Sequence, residues 1–223
     1  MKQLKSLKDL KYGNLNRENI SFLMNQDESL QKIVDKFKEF DYPNTKVSKE
    51  EIETIIAIQN KAIKSENWDL YYDFCKNADE DLHEVISEHL LRIGIDIPTE
   101  VLQNFNDEIG MVITSLKKHY NRPRPFQFAY YSEQNLSPFE TVTGNSPSYP
   151  SGHACQGWFT CLYLIKRFPD KEKELTSLAK MIENSRIIMG VHYPSDNAFG
   201  KKIAETIVNI PNFENILNDR IDI

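Results

Sequence analysis

The chain has few cysteines, no long apolar run, no excess of positive charge and no convincing alternation of apolar and polar residues. Each shortage removes a class of protein. The three cysteines, Cys75, Cys155 and Cys161, form no metal-ligand spacing. Cys155 and Cys161 fall in one predicted helix but point to different faces, so all three are read as reduced, buried thiols. No stretch reaches the apolar length of a membrane span. The opening MKQLKSLKDLKYGNL is basic, but lysines interrupt its leucines and no signal-peptide core is seen. The cytosol is therefore the expected location. A formal net charge of −6 argues against general nucleic-acid binding and against an anionic membrane surface. It still allows a local cationic pocket. Internal repeats and low-complexity linkers are also missing.

What remains is an ordinary globular composition, 40% hydrophobic and 27% charged over 223 residues. That length buries a core without disulfides or metal and is read as one domain, residues 1–223. Helical periodicity dominates. DESLQKIVDKFKEF places Leu30, Ile33, Val34 and Phe37 on one face. VSKEEIETIIAIQNKAI opens with Ser48 and Glu51 at capping-box spacing. DEDLHEVISEHLLRIG ends at Gly94, and Pro98 starts a long helix through residue 120. Residues 122–150 are rich in proline and are read as one long connection, of the kind that is often functional. Further helices are expected over 151–168, 171–189 and 194–209, with a short terminal one near 212–220. The fold class is all-α: a compact helical domain with its site at helix ends and an intervening long loop.

Several charges stand where an apolar face would exclude them. Lys117 continues the helical stripe of Phe105, Ile109 and Ile113, and Arg186 continues that of Leu175, Leu178 and Ile182. A buried charge must be paired or must bind an anion. Arg124 leaves a backbone stiffened by the prolines of NRPRPFQF. Ser151, Gly152 and His153 open a helix, where backbone N–H groups suit a phosphate-like ligand. Taken singly, each has an ordinary explanation: a snorkelling lysine, a structural salt bridge, a solvated turn, an N-cap. Taken together with His192 and Asp196, they describe one anion pocket with acid, base and nucleophile candidates.

The stretch SRIIMGVHYPSD carries the last of these. In a continuous helix, positions 186 and 192 would lie about 240° apart and could not face one ligand. Gly190 is expected to end one helix and Pro194 to start the next, letting His192 fold back toward Arg186. Asp196, in the first turn of the new helix, would accept a hydrogen bond from one imidazole nitrogen and leave the other bare for attack.

Three motifs are now complete: Lys117, six residues, then Arg124-Pro125; Pro150-Ser151-Gly152-His153; and Ser185-Arg186, five residues, His192, three residues, Asp196. All three, in order and with full internal spacing, resemble the type 2 phosphatidic acid phosphatase and vanadium haloperoxidase superfamily. KKHYNRPRPFQF and SYPSGHACQGW look most like its class A bacterial non-specific acid phosphatases. The motif-bearing likeness covers about residues 100–205.

The resemblance implies an all-helical, metal-independent acid phosphatase that hydrolyses small phosphomonoesters through a phosphohistidine, with phosphotransfer to alcohols as a side reaction. It implies His192 as nucleophile, Asp196 as its orienting partner and His153 as general acid. Lys117, Arg124, Ser151, Gly152 and Arg186 would bind the phosphoryl oxygens. No metal and no cofactor are expected. Class A relatives are periplasmic, which departs from the location expected above. Two alternatives stay open: a vanadium-dependent haloperoxidase, with vanadate as its cofactor, and a catalytically idle phosphate- or nucleotide-binding protein. Oligomeric state and the role of residues 1–100 are not legible in the sequence.

Overall fold

A computed structural model describes residues 6–13 and 28–211. Among the described residues there are nine α-helices and no strand: α1 (Glu28–Lys38), α2 (Thr45–Ile63), α3 (Trp68–Glu80), α4 (Leu82–Arg92), α5 (Thr99–Tyr120), α6 (Pro125–Ser132), α7 (Gly152–Arg167), α8 (Glu172–Ile188) and α9 (Pro194–Val208). The terminal helix expected near 212–220 lies outside the described residues. Among the described residues, no helix is long and apolar enough to cross a membrane.

Helix α7 is the centre of the core. Its sequence GHACQGWFTCLYLIKR is apolar over most of its circumference, as suits a helix surrounded by others. Cys155, Trp158, Phe159, Cys161 and Leu164 share one buried apolar core with residues of α1, α4, α5, α8 and α9. All three cysteines are free and buried. At Gly200 on α9, an added Cβ would stand 2.7 Å from the carbonyl oxygen of Ser151 and 3.1 Å from the amide of Cys155. Glycine is needed there so that α9 can cross the start of α7 backbone to backbone. That crossing brings the turn holding Asp196 against Ser151, whose amide donates to the Asp196 carbonyl at 3.1 Å.

Three departures from the expected elements have local causes. Helix α2 starts one turn before its apparent capping box, because Asn44 accepts from the amides of Lys46 (3.0 Å) and Val47 (3.2 Å). Ser48 and Glu51 thus lie inside the helix and are free for other partners. Helix α3 was not expected. It buries only Cys75, Ala78 and Asp79, while Leu70, Tyr71 and Tyr72 face outward, so its apolar residues trace no core stripe. Helix α6 interrupts the connection expected over 122–150. Pro125 occupies its first turn, Phe128 and Ala129 are buried, and Glu133 ends it in the left-handed region at φ 59°.

Candidate active site

Helix α8 ends with Gly190 at φ 71°. Its amide donates to the Ile187 carbonyl at 2.9 Å, and the Val191 amide reaches the Arg186 carbonyl at 3.2 Å. This pair of bonds is the helix-ending pattern that a left-handed glycine permits. The His192 amide also donates to the Arg186 carbonyl, at 3.3 Å, so the chain doubles back as the spacing required. Pro194 then starts α9. Asp196, in its first turn, accepts from the Tyr193 amide at 3.0 Å.

The two nitrogens of His192 meet opposite partners. Nδ1 lies 3.1 Å from Asp196 Oδ2, and Nε2 lies 2.9 Å from Arg124 Nη1. A guanidinium can only donate, so Nε2 accepts and Nδ1 carries the proton that it gives to Asp196. The partners therefore assign the tautomer. Asp196 also accepts from Arg122 Nη1 at 2.7 Å and from the Ser148 hydroxyl.

A cavity of about 460 Å³ opens beside His192. Its walls include Lys117, Arg124, Gly152, His153 and His192, with Ile113 and Thr143. Lys117, only 8% exposed, donates through Nζ to the Pro147 carbonyl. Arg124 is held by the carbonyls of Ser146 (2.8 Å) and Val191 (2.9 Å). A Cβ at Gly152 would meet only Ile113, at 3.6 Å, so the start of α7 is open toward the cavity. Two of the expected residues stand behind the wall. Ser151 is fully buried, and its hydroxyl accepts from the Ala154 amide at 3.4 Å. Arg186 pairs with Asp79 of α3 through Nη2 at 2.8 Å and touches Thr143 Oγ1 at 3.1 Å. Its Nε is buried without a partner.

The electrostatics follow from crowding cations in a dry place. Burial, Arg186, Lys117 and Arg124 hold His153 well below the usual histidine range, and Asp79 opposes them. Burial, Arg124, Lys117 and Arg186 do the same to His192. Burial and the two arginines push the Lys117 ammonium down, and burial and Arg186 push Arg124 down to about 10. Every one of these shifts disfavours further positive charge, which an incoming phosphoryl group would relieve. Burial raises Asp196, while Arg122, Ser148 and the Tyr193 amide pull it back. Desolvation of Asp79 is outweighed by Arg186 and Thr143, which hold its carboxyl at about 2.

Four residues around the site escaped the sequence reading: Arg122, Glu51, Ser148 and Asp79. Arg122 stands one proline before Arg124 in NRPRP, and that second arginine is the local signal for it. Glu51 was assigned to a cap that Asn44 provides instead. Asp79 sits on the helix that the periodicity did not reveal.

Residues 108–210 match the family described as the PAP2 superfamily. A non-specific acid phosphatase of Providencia stuartii is 30% identical over 128 residues, 55% of this chain and 51% of that protein. One of Salmonella typhimurium is 33% identical over 107 residues, 46% of this chain and 42% of that protein. The chain thus spans about half the length of the curated relatives it matches. A solved transmembrane PAP2-type phosphatidylglycerolphosphate phosphatase of Bacillus subtilis is 15% identical with a TM-score of 0.47, covering 87% of this chain and 94% of that one. All three motifs, from Lys117 to Asp196, fall inside the segment that matches the PAP2 superfamily.

Proposed function

We propose that the chain is an acid phosphatase acting on small phosphomonoesters through a phosphohistidine at His192. The observation that carries this reading is the placement of His192 Nε2 at the wall of a cationic cavity, with Nδ1 held by Asp196. Relatives named as acid phosphatases support the choice of ester hydrolysis.

In the first step Arg124 turns from Nε2 to the phosphoryl oxygens, and the Nε2 lone pair attacks phosphorus. The N–P bond forms as the ester P–O bond breaks. The imidazole becomes cationic, and the carboxylate of Asp196 offsets that charge without taking the proton. The departing oxygen takes a proton from His153. In the second step His153 removes a proton from water, whose oxygen attacks phosphorus. The N–P bond breaks, its electron pair returns to Nε2, and inorganic phosphate leaves. An alcohol in place of that water gives phosphotransfer by the same route. Lys117, Arg124 and the start of α7 at Gly152 stabilise charge on the equatorial oxygens, and Arg186 adds its field from behind the wall.

The bound phosphoryl group also resolves the protonation problem at His153. Its negative charges offset the cations that depress that imidazole, so the acid form becomes available when substrate is present. No metal or cofactor is called on, because side-chain cations do the work. The direct test is phosphate release from p-nitrophenyl phosphate by EDTA-dialysed protein. Turnover that His192→Ala abolishes is expected. Loss of turnover on dialysis, restored by zinc or magnesium, would overturn the reading. So would halide oxidation by vanadate-loaded protein without ester hydrolysis.

A further inference from the structure

The proposed chemistry leaves one buried charge cluster unused. Arg122 is 1% exposed and lies on the far side of Asp196 from the cavity. Its Nη1 donates to Asp196 Oδ1 and to Ser195 Oγ, both at 2.7 Å. Its Nη2 donates to Ser48 Oγ and Glu51 Oε2, both at 3.0 Å. Glu51 in turn accepts from the Ser195 amide at 2.6 Å and the Ser195 hydroxyl at 2.8 Å. The Tyr193 ring lies 3.8 Å from the guanidinium carbon. One side of the guanidinium fork is therefore on Asp196 and the other on α2, a helix outside the matched segment.

We infer that Arg122, seated by Glu51, is the positioning residue for the His192–Asp196 pair. The inference rests on the role proposed for His192. Asp196 offers Oδ2 to His192, Ser148 and the Tyr193 amide, and only a fixed Oδ1 keeps that oxygen aimed at Nδ1. A planar, permanently charged fork restrains a carboxylate in both direction and ionisation. Arg122 does not line the phosphate cavity, so it acts through Asp196 rather than on substrate.

Ionisation is the second half of the argument. The charged and titratable groups acting on Asp196 are Arg122 from the α5–α6 connection, Glu51 from α2, His192 and Tyr193 from its own turn, and Lys117, Arg124 and Tyr149. Among the causes acting on the Asp196 carboxyl, Arg122 opposes burial most strongly. Without Arg122 the carboxyl takes up a proton at higher pH, and the cationic phosphoimidazole loses its counter-charge.

The test compares Arg122→Gln, Arg122→Lys and Glu51→Gln with the native chain. It measures kcat and KM for p-nitrophenyl phosphate, the inhibition constant of inorganic phosphate, and ¹⁵N-histidine spectra. For Arg122→Gln, kcat should fall about 10- to 100-fold. KM and phosphate inhibition should be unchanged, and the acid limb of the kcat profile should move up by about 1–3 pH units. Arg122→Lys should recover part of kcat. Arg124 still fixes the tautomer in Arg122→Gln, so the Nδ1–H of His192 should persist, but its resonance should move upfield as the hydrogen bond to the Asp196 carboxylate weakens. A folded Arg122→Gln protein with native kcat, pH profile and His192 spectrum overturns the inference. Should that variant not fold, Glu51→Gln decides: a smaller fall in kcat with the same acid-limb shift supports it, and a native profile overturns it. If the native chain hydrolyses no ester, the phosphatase reading fails. The spectrum then decides separately, because a native Nδ1–H resonance position without Arg122 overturns the positioning role and its displacement supports it.

Discussion

Arg124 Nη1 lies 2.9 Å from His192 Nε2, so the arginine proposed to bind phosphate and the nitrogen proposed to attack it hold each other. The contact fixes Nε2 as an acceptor from one side, while Asp196 holds Nδ1 from the other. The tautomer of His192 is thus specified twice. This is unlike a Ser-His-Asp triad, where the aspartate alone specifies it and its change to asparagine costs about 10⁴ in kcat. Here Asp196→Asn should remove the counter-charge but leave the tautomer, and kcat should fall about 10²- to 10³-fold. A pre-steady-state measurement with p-nitrophenyl phosphate checks this. Native kcat in a folded Asp196→Asn protein would contradict it.

The pH dependence of turnover follows from the two depressed histidines. In the free protein His192 must be neutral to attack and His153 protonated to donate, and both are held below the usual range of about 6.5. The kcat/KM profile should therefore peak below pH 6.5, with limbs that belong to the pair rather than to either residue. The kcat profile should peak at higher pH, because bound phosphoryl charge raises His153. A kcat/KM maximum above pH 7 would contradict the assignment.

Stability should run the other way. Burial lowers His83, His89, His153 and His192 in the folded chain. Below about pH 6.5 the unfolded chain binds protons that the folded one refuses, so stability falls as pH drops through that window. Thermal melting between pH 7 and 5 should show a falling Tm. Inorganic phosphate should raise Tm by binding only the folded state. His153→Asn should flatten the slope. A Tm that rises on acidification would contradict this.

Lys117 separates binding from folding. Burial and the neighbouring arginines oppose its charge, so the ammonium is a cost to the folded chain. Lys117→Met keeps much of the stem volume and removes the charge. It should raise Tm while lowering kcat/KM about 10²- to 10³-fold. Calorimetry on the same preparation as the kinetics checks both halves, and a lowered Tm would contradict the electrostatic account.

These consequences show where the sequence was legible. Lys117 and Arg124, Gly152 and His153, and Arg186, His192 and Asp196 are each close in sequence, on one helix or across one helix-to-helix connection, and helix period or helix-breaking residues reveal such groups. The return of His192 was readable because Gly190 and Pro194 punctuate it. The carboxylates behind the site were not. Glu51 is 71 residues from Arg122, and Asp79 is 107 from Arg186. Pairing over such separations leaves no local pattern. Both acids belong to α2 and α3, whose buried faces serve the site as much as the core. The same cause hid α3, whose inward face carries Asp79 where a core stripe would carry a leucine.

The central claim is that phosphorus becomes bonded to His192 Nε2. The measurement that tests it most directly is an alkaline quench of native protein turning over ³²P-labelled substrate, followed by peptide mapping. Alkali preserves a phosphohistidine that acid would destroy. The account predicts label on the peptide containing His192, none in His192→Ala, and accumulation in His153→Asn, where dephosphorylation lacks its base. Label on a serine, or turnover with no enzyme-bound label in any of the three proteins, would contradict it.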